Sequence, residues 1–493
     1  MQKLENLYNK FINFKQLEWI ILVFIILFGF GIRLYKINNP IADWHSWRQA
    51  DTASVTKTFV QRGINILYPK YQDISSIQSG KPNPEGYRLV EVPFYNVIHA
   101  LLFEAFPKFT LEVWGRVLSS VFSLITAIFI YLIGKRFMGK WGGILSAFFF
   151  VFIPFNVYYS RVILPDPLAV LFAISGLWFF IKYYDTNKKI FLWLSGMLFA
   201  LSVLIKPFTI FYSLPMFYLL DQKYGLKKIF NNLLKFWPLF VFSAIIIIPL
   251  ILWRNWIGRH PEGIPFYEWA FNSDGIRFRP AFFRWIFAER IGKLILGVWG
   301  IVPLTIGLLI SKKNNSFNLW FFAGTLLYVC VVATANVRHD YYQIFLIPPI
   351  ALCLAQGTLD LWNNTAFNKI VGKLVAVFSI LIMFIVGAYQ IKDYYQINHP
   401  EILVAGEAVD RLTPKDATVL VPYNGDTAFL YATNRWGWPA NDSSVDDIIK
   451  KGGDYYVSLT FTDPDTLDVL ARFKTIEKTN QYVIVDLHQP ISE

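Results

Sequence analysis

Long apolar runs separated by short polar connections fill this chain up to about residue 391. About eleven of these runs approach the roughly 20 residues that a helix needs to cross a bilayer. They predict spanning helices at about 17–35, 112–134, 141–159, 166–184, 189–205, 207–221, 236–254, 293–311, 318–336, 341–361 and 370–391. The pattern is that of a polytopic α-helical membrane protein, and a composition of 55% hydrophobic and 16% charged residues agrees with it.

Two longer polar stretches interrupt the apolar pattern, at about 36–110 and about 255–292. The first contains the apolar run Pro93–Phe103, which is short for a span and is interrupted by His99 and bounded by Glu104. This run predicts a helix that lies in the membrane interface. The tryptophans and arginines of the second stretch predict the same position for it.

The end of the chain has a different pattern. After about residue 392 the apolar stretches shorten to strand length, at about 417–421, 455–459 and 482–485, with helical patterns between them. We therefore predict a transmembrane domain over about 1–391 and a small α/β domain over about 392–493.

Charge is distributed unevenly along the chain, whose formal net charge is +12. From Lys392 onward acidic residues outnumber basic ones by 16 to 9, so the membrane part carries the positive charge. Its basic residues concentrate in alternate loops, which are expected to be cytoplasmic. They are Lys135, Arg136, Lys140, Lys188, Lys189, Lys223, Lys227, Lys228, Lys235, Lys312, Lys313 and Lys369. This asymmetry predicts a multi-pass plasma membrane protein with its α/β domain outside the cytoplasm, and it argues against nucleic acid as a partner.

The first polar stretch opens with the most informative motif, Asp43–Thr52, which reads DWHSWRQADT. Two carboxylates, a histidine, an arginine and two tryptophans suit a site for a charged lipid headgroup and a sugar. Such a site needs a base, a cation for phosphate and aromatic faces for sugar rings. The simpler alternative is an interfacial segment with an aromatic belt and solvated charges.

Further charged and aromatic residues stand at span ends on the same predicted side of the membrane. Charges in such places are often functional because burying an unpaired charge in lipid is costly. These residues are Arg88, Glu91, Arg161, Asp166, Lys206, Arg338, His339, Asp340, Tyr341 and Tyr342. Taken singly, each has a simpler explanation, such as a salt bridge between Arg161 and Asp166, a helix cap at Asp340, or an aromatic belt.

Four strings of residues together resemble the GT-C glycosyltransferases, in particular the protein O-mannosyltransferase and lipid A aminoarabinose transferase families and their bacterial family 39 relatives. The strings are Trp47-Arg48-Gln49-Ala50-Asp51-Thr52-Ala53, Arg161 with Leu164-Pro165-Asp166, Lys206-Pro207, and Arg338-His339-Asp340-Tyr341-Tyr342 with Pro348-Pro349. The resemblance covers the membrane part. It implies a polyprenyl-phosphate-linked sugar as donor, an unidentified lipid, glycan or protein as acceptor in the cell envelope, an active site on the outer face, and inversion at the anomeric carbon.

The resemblance also assigns roles to residues, with two departures from the family pattern. The family's adjacent Asp-Glu pair is replaced here by Arg48-Gln49, and Glu91-Val92-Pro93 stands where a Lys or His often precedes two prolines. We therefore expect Asp51 to be the general base, with Asp43 and Glu91 as alternatives. The expected donor-phosphate ligands are Arg48, Lys206, Arg338 and Arg161. The expected substrate-binding residues are Asp166, Glu91, His45, His339, Tyr341, Tyr342 and Trp47.

No cofactor is expected. The two cysteines, Cys330 and Cys353, lie in predicted spans, imply no disulfide and have no metal-ligand spacing, although the many carboxylates leave a divalent metal open. Two other functions fit a membrane protein of this pattern, a transporter or flippase for lipid-linked sugars and a polysaccharide polymerase or ligase. A transporter should carry polar residues near the bilayer midplane, whereas these spans are apolar in their middles.

Overall fold

The computed structural model describes residues 16–309, 316–363 and 368–491. Lys312 and Lys313, two of the predicted cytoplasmic residues, lie outside the described residues. Within the described residues, every predicted span lies mainly on helix, and the span at 293–311 is interrupted by turns at 296–300. The α-helices of this part are Leu17–Arg33, Ser46–Arg62, Phe94–Ala105, Leu111–Phe152, Pro154–Tyr159, Asp166–Thr186, Lys189–Ile205, Leu214–Tyr224, Leu226–Asn231, Trp237–Ile257, Trp269–Asn272, Pro280–Phe283, Ile301–Leu309, Ser316–Val331, Ala333–Arg338, Ile347–Asn363 and Lys369–Ile391.

Tighter and wider helical turns complete the membrane part. The 3-10 helices are Pro207–Ser213, Pro261–Gly263, Ile276–Phe278, Asp340–Leu346 and Lys392–Tyr395, and Arg284–Ile295 is a π-helix. Five segments of the described residues are long and apolar enough to cross a membrane: Leu111–Phe152, Asp166–Thr186, Trp237–Ile257, Asp340–Asn363 and Lys369–Tyr395. Lys189–Ile205 and Ser316–Val331 are apolar but shorter. The protein therefore has the helices of a membrane protein, and the count of about eleven spans stays a prediction.

The 42-residue helical run Leu111–Phe152 contains a sharp break at Gly139, where φ is 77°. A left-handed backbone of this kind is accessible to glycine at little cost. Beyond the break the chain packs closely on the helix before it, because a Cβ on Gly143 would lie only 2.7 Å from the carbonyl oxygen of Tyr131. The run is thus two helices that pack on each other, in agreement with two predicted spans.

The C-terminal part is a five-stranded sheet with flanking helices. Its strands are β1 (Thr418–Leu420), β2 (Trp436–Trp438), β3 (Tyr455–Ser458), β4 (Phe473–Lys478) and β5 (Val483–Pro490), in the order β2-β1-β3-β5-β4. Strand β1 runs parallel to β2 and β3, whereas β5 runs antiparallel to β3 and β4. The helices are Glu401–Leu412, Thr427–Ala432, Val445–Lys450 and Pro464–Arg472. This arrangement agrees with the predicted α/β class, and the boundary at residue 392 stays a prediction.

One apolar core joins the first polar stretch to the sheet. Ala50 and Ala53 of the helix Ser46–Arg62 are fully buried in a cluster that also contains Phe429 and Leu430 of the α/β part. The helix Ser46–Arg62 therefore lies between the membrane part and the α/β part, and its N-terminal turn is held in a fixed position.

Candidate active site

The helix Ser46–Arg62 buries polar side chains along most of its length. Arg48, Gln49, Asp51, Thr52 and Ser54 are each at most 5% exposed. Buried polar groups are costly unless they are paired, so such a helix requires partners on the elements around it. These partners identify the site.

A cavity of about 410 Å³ opens beside the N-terminal turn of this helix. Its volume falls in the range typical of small-molecule sites. The lining combines basic, acidic and aromatic side chains from the first polar stretch, the 206–208 turn, the second polar stretch and the segment that begins at residue 340. The polar and aromatic members include Trp47, Arg48, Arg88, Glu91, Lys206, Arg254, Trp269, Tyr341 and Tyr342. Apolar side chains cover the rest, including Leu89, Leu250, Phe266 and Phe271.

Two of the cavity's arginines are bonded to buried carboxylates. Arg48 Nη2 donates to Glu91 Oε1 at 2.8 Å, and Arg88 Nη2 donates to Asp51 Oδ2 at 2.5 Å. Both guanidinium groups are thereby aimed by a charge-assisted bond. Nε and Nη1 of Arg88 are buried and have no hydrogen-bond partner among the described residues, and the guanidinium group also lies over the ring of Tyr71, 5.2 Å from its centroid.

Lys206 is the third cation of the cavity wall. It begins the 3-10 turn after the helix Lys189–Ile205, and its Nζ lies 3.7 Å from Oδ2 of Asp166. Neither oxygen of Asp166 accepts a hydrogen bond within the described part of the chain. Asp166 thus balances the charge of Lys206 from behind without lining the cavity itself.

The three candidate bases differ in their access to the cavity. Asp51 uses both oxygens, one for Arg88 and one for the hydroxyl of Thr427, which donates to Oδ1 at 2.7 Å. Asp43 accepts from Nε2 of Gln49 at 2.7 Å and does not line the cavity. Glu91 lines it, and its Oε2 has no hydrogen-bond partner among residues 16–309, 316–363 and 368–491.

Nearby cations keep the carboxyl group of Glu91 ionised at neutral pH. Burial alone would raise the pKa of its carboxyl group, but the charges of Arg48 and Lys206 outweigh burial and hold the pKa below its ordinary value. Glu91 is therefore ionised. Burial raises the pKa of Asp43, against the charges of Arg116 and Arg161.

The rings of His45, His339 and Tyr341 pack together near Asp340, and of these three side chains Tyr341 alone lines the cavity. The His45 ring lies 5.7 Å from that of His339 and 5.4 Å from that of Tyr341. Nε2 of His45 also lies 2.6 Å from Oδ1 of Asp340. The carboxylate of Asp340 accepts further bonds from the hydroxyls of Tyr159 and Tyr394. Asp340 thus joins side chains of distant elements by hydrogen bonds. A helix cap, the simpler explanation that its position allows, does not account for these bonds.

Two predicted phosphate ligands lie elsewhere. Arg161 donates to the carbonyl oxygen of Lys36 at 2.8 Å and lies over the ring of Tyr395, so it forms no salt bridge with Asp166. Arg338 donates to Asp274 at 2.7 Å on the surface, where its side chain is 55% exposed. Neither lines the cavity. A role for them in donor binding would require them to act from outside it.

Several cavity residues were given no role from the sequence. The sequence marks Arg88 as a charged residue at a span end and predicts no further role for it. Arg254 ends the predicted span before the second polar stretch and Trp269 lies within that stretch, where several arginines and tryptophans look alike in sequence. The packing of the elements in space, which the sequence does not show, decides which of these arginines and tryptophans face the cavity and which face solvent. Within the described residues, no three His, Cys, Asp or Glu side chains converge as a metal site would require.

Comparisons with known proteins identify similar folds. A family model for dolichyl-phosphate-mannose-protein mannosyltransferases matches residues 91–253. ArnT from Cupriavidus metallidurans, solved bound to undecaprenyl phosphate, superposes with a TM-score of 0.66 at 12% identity, over 96% of this chain and 98% of that one. AglB, an oligosaccharyltransferase from Archaeoglobus fulgidus in complex with an inhibitory peptide and a dolichol-phosphate, superposes with a TM-score of 0.56 at 11% identity, over 95% of this chain and 76% of that one. No curated protein matches the chain by sequence. The resemblance to the GT-C glycosyltransferase fold is confirmed, and at these identities the structural likeness concerns the fold.

Proposed function

We propose that this chain is an integral-membrane glycosyltransferase that moves a sugar from a polyprenyl-phosphate donor to an extracytoplasmic acceptor hydroxyl with inversion. The proposal is carried by the cavity of about 410 Å³, in which four cations, several aromatic rings and the carboxylate of Glu91 converge. One oxygen of that carboxylate has no hydrogen-bond partner among the described residues. The structural relatives were solved with undecaprenyl phosphate and dolichol-phosphate, which supports this class of donor.

The donor phosphate binds to Arg48, Arg88 and Lys206 in this proposal. A phosphate that leaves an anomeric carbon gains negative charge, and fixed cations stabilise that charge in the transition state. Two guanidinium groups add directional hydrogen bonds to the phosphate oxygens. The apolar side chains of Leu250, Phe266 and Phe271 would hold the first isoprene units, which need a surface without polar groups.

The chemical step assigns one role to Glu91. Its Oε2 takes the proton of the acceptor hydroxyl while the acceptor oxygen bonds to the anomeric carbon. The bond between that carbon and the phosphate oxygen breaks, and its electron pair leaves on the polyprenyl phosphate. We place the base at Glu91 rather than at Asp51 because both oxygens of Asp51 are already bonded. Asp51 then positions Arg88.

Aromatic side chains would hold the sugar. Trp47 and Tyr341 line the cavity next to the cations, with ring centroids 6.3 Å apart. Their faces suit the apolar C–H surface of a pyranose or furanose ring. Whether the sugar is a hexose or a pentose would depend on which of its hydroxyl groups fit beside these aromatic side chains.

A transfer assay tests the proposal. The purified protein in liposomes receives radiolabelled polyprenyl-phosphate sugars and the lipid, glycan and protein fractions of a cell envelope. We expect label in one fraction together with free polyprenyl phosphate. Movement of intact donor across the liposome membrane without cleavage would instead identify a flippase.

A pair of variants ties the activity to the cavity. Lys206→Met removes a phosphate cation, so donor affinity should fall about tenfold or more. Lys188→Met removes an exposed lysine from a loop that the cavity does not involve, and should leave transfer unchanged. Equal activity of both variants would contradict the assignment of the donor site.

A further inference from the structure

The α/β part is joined to the first polar stretch by backbone hydrogen bonds. The amide of Ile74 donates to the carbonyl of Gly437 at 3.0 Å, and the amide of Gly437 donates to the carbonyl of Gln72 at 3.0 Å. Residues 72–74 thus extend the sheet beyond β2. Bonds of this kind fix the distance and register between the two parts, so a side chain of one can be placed accurately against the other.

Thr427 of the α/β part is such a side chain, because it contacts the first polar stretch. It opens the helix Thr427–Ala432 and is 5% exposed. Its hydroxyl lies 2.7 Å from Oδ1 of Asp51 and 3.2 Å from the carbonyl oxygen of Trp47. The hydroxyl has one proton, and the closer, charged carboxylate is the stronger acceptor.

A second hydrogen bond of Asp51 links Thr427 to a residue of the cavity. Asp51 uses its other oxygen to accept from Nη2 of Arg88 at 2.5 Å, and Arg88 lines the cavity, where its Nε and Nη1 have no hydrogen-bond partner among the described residues. A carboxylate held by one bond can rotate about its side-chain torsions, whereas one held on both oxygens cannot do so without breaking a bond. The bond from Thr427 therefore restrains the carboxylate that bonds Arg88, whose guanidinium group also lies over the ring of Tyr71.

We propose that Thr427 is a positioning residue, through which the α/β part sets the orientation of Arg88 and so the affinity for the donor phosphate. The inference rests on the proposed function, in which Arg88 binds that phosphate. It gives the α/β part a direct share in the active site. By linkage, a bound phosphate should in turn strengthen the bond between Thr427 and Asp51.

The test measures binding of farnesyl phosphate, a short prenyl phosphate, to the full-length protein in detergent. Thr427→Val keeps the shape and removes the hydroxyl, so the Kd should rise roughly tenfold, as for a lost hydrogen bond to a charged group. Thr427→Ser restores a hydroxyl and should restore most of the affinity. Thr433→Val is the matched control, because Thr433 is fully buried in the same region and its hydroxyl donates to Leu430 within the α/β part.

A double-mutant cycle separates positioning from simple packing. In an Arg88→Gln background, Thr427→Val should change the Kd less than twofold, because the group that Thr427 orients is gone. Independent effects of the two substitutions would overturn the inference, as would a Thr427→Val protein that binds like Thr433→Val. Failure of the unchanged protein to bind farnesyl phosphate would instead overturn the proposed function itself.

Discussion

Glu91 and Asp51 are both buried, and each accepts a hydrogen bond from an arginine. The second carboxylate oxygen of Asp51 is also bonded, whereas that of Glu91 has no hydrogen-bond partner among the described residues. In Glu91→Gln the Oε1 acceptor for Arg48 can remain while the base is lost, so single-turnover transfer should fall by about 10²–10⁴-fold. Donor affinity should change little. In Asp51→Asn the bond to Arg88 weakens, so the donor Kd should rise while the rate at saturating donor falls less.

Asp43→Asn completes the comparison. Asp43 lies outside the cavity and bonds Gln49, so its variant should keep a rate near that of the unchanged protein. The measurements are donor binding and single-turnover transfer on all three variants. An Asp51→Asn protein that binds donor normally but does not turn over would move the base to Asp51.

The residue types of the site could be predicted from the sequence, but their pairing could not. Arg48, Lys206 and Trp47 were expected near the substrate and line the cavity. Arg161 and Arg338 share the same predicted side of the membrane but point elsewhere. The sequence gives the position of a residue along a helix, whereas the direction of a side chain at a helix end depends on neighbouring elements.

Among the elements, the segment after the helix Ser46–Arg62 contains a carboxyl group whose burial disfavours its charged form. Asp73, which pairs with the edge of β2, is buried, and burial together with the nearby charge of Asp51 raises its pKa to about 6. Its pKa in the unfolded chain is about 3.9. The native state therefore holds the extra proton between about pH 4 and pH 6, and stability from this group is lost as pH rises through about 6.

Asp73→Asn removes this pH dependence. At pH 7.5 the variant should be more stable than the unchanged protein, by up to about 2 kcal/mol, and the difference should vanish near pH 4. Thermal unfolding across pH 4–8 measures it, with Asp416→Asn as an exposed control. A variant that is less stable than the unchanged protein at pH 7.5 would show that the Asp73 charge stabilises the interface instead.

The length of the apolar runs predicts the helices of the membrane part, whereas the apolar pattern predicts only some of the elements of the α/β part. The helix Phe94–Ala105 and strands β1, β3 and β5 lie where the sequence patterns predicted a helix and strands. The position of this helix in the membrane interface stays a prediction. Strands β2 and β4 were not predicted. β2 is the three residues Trp-Gly-Trp, and β4, at an edge of the sheet, has three charged residues among its six, so neither has the apolar run that marks a strand.

At the scale of the whole molecule, ion pairs collect at the helix ends opposite the cavity. Lys135 bonds Glu18 at 2.8 Å, and Arg136 bonds Asp185 at 2.8 Å. These lysines and arginines belong to the loops that the charge pattern assigns to the cytoplasm. The cavity and the α/β part would then lie together on the outer face, where a lipid-linked sugar and its acceptor meet.

Cysteine labelling tests this orientation. In a Cys330→Ser background, Gln481→Cys places a thiol in the exposed turn between β4 and β5, and Lys188→Cys places one in a predicted cytoplasmic loop. A membrane-impermeant maleimide should label the first variant in intact cells and the second only after permeabilisation. The reason is physical, because translocating the loops rich in lysine and arginine is disfavoured relative to retaining them. The reverse labelling pattern would place the cavity in the cytoplasm, and the donor would then have to be bound before it reaches the outer leaflet.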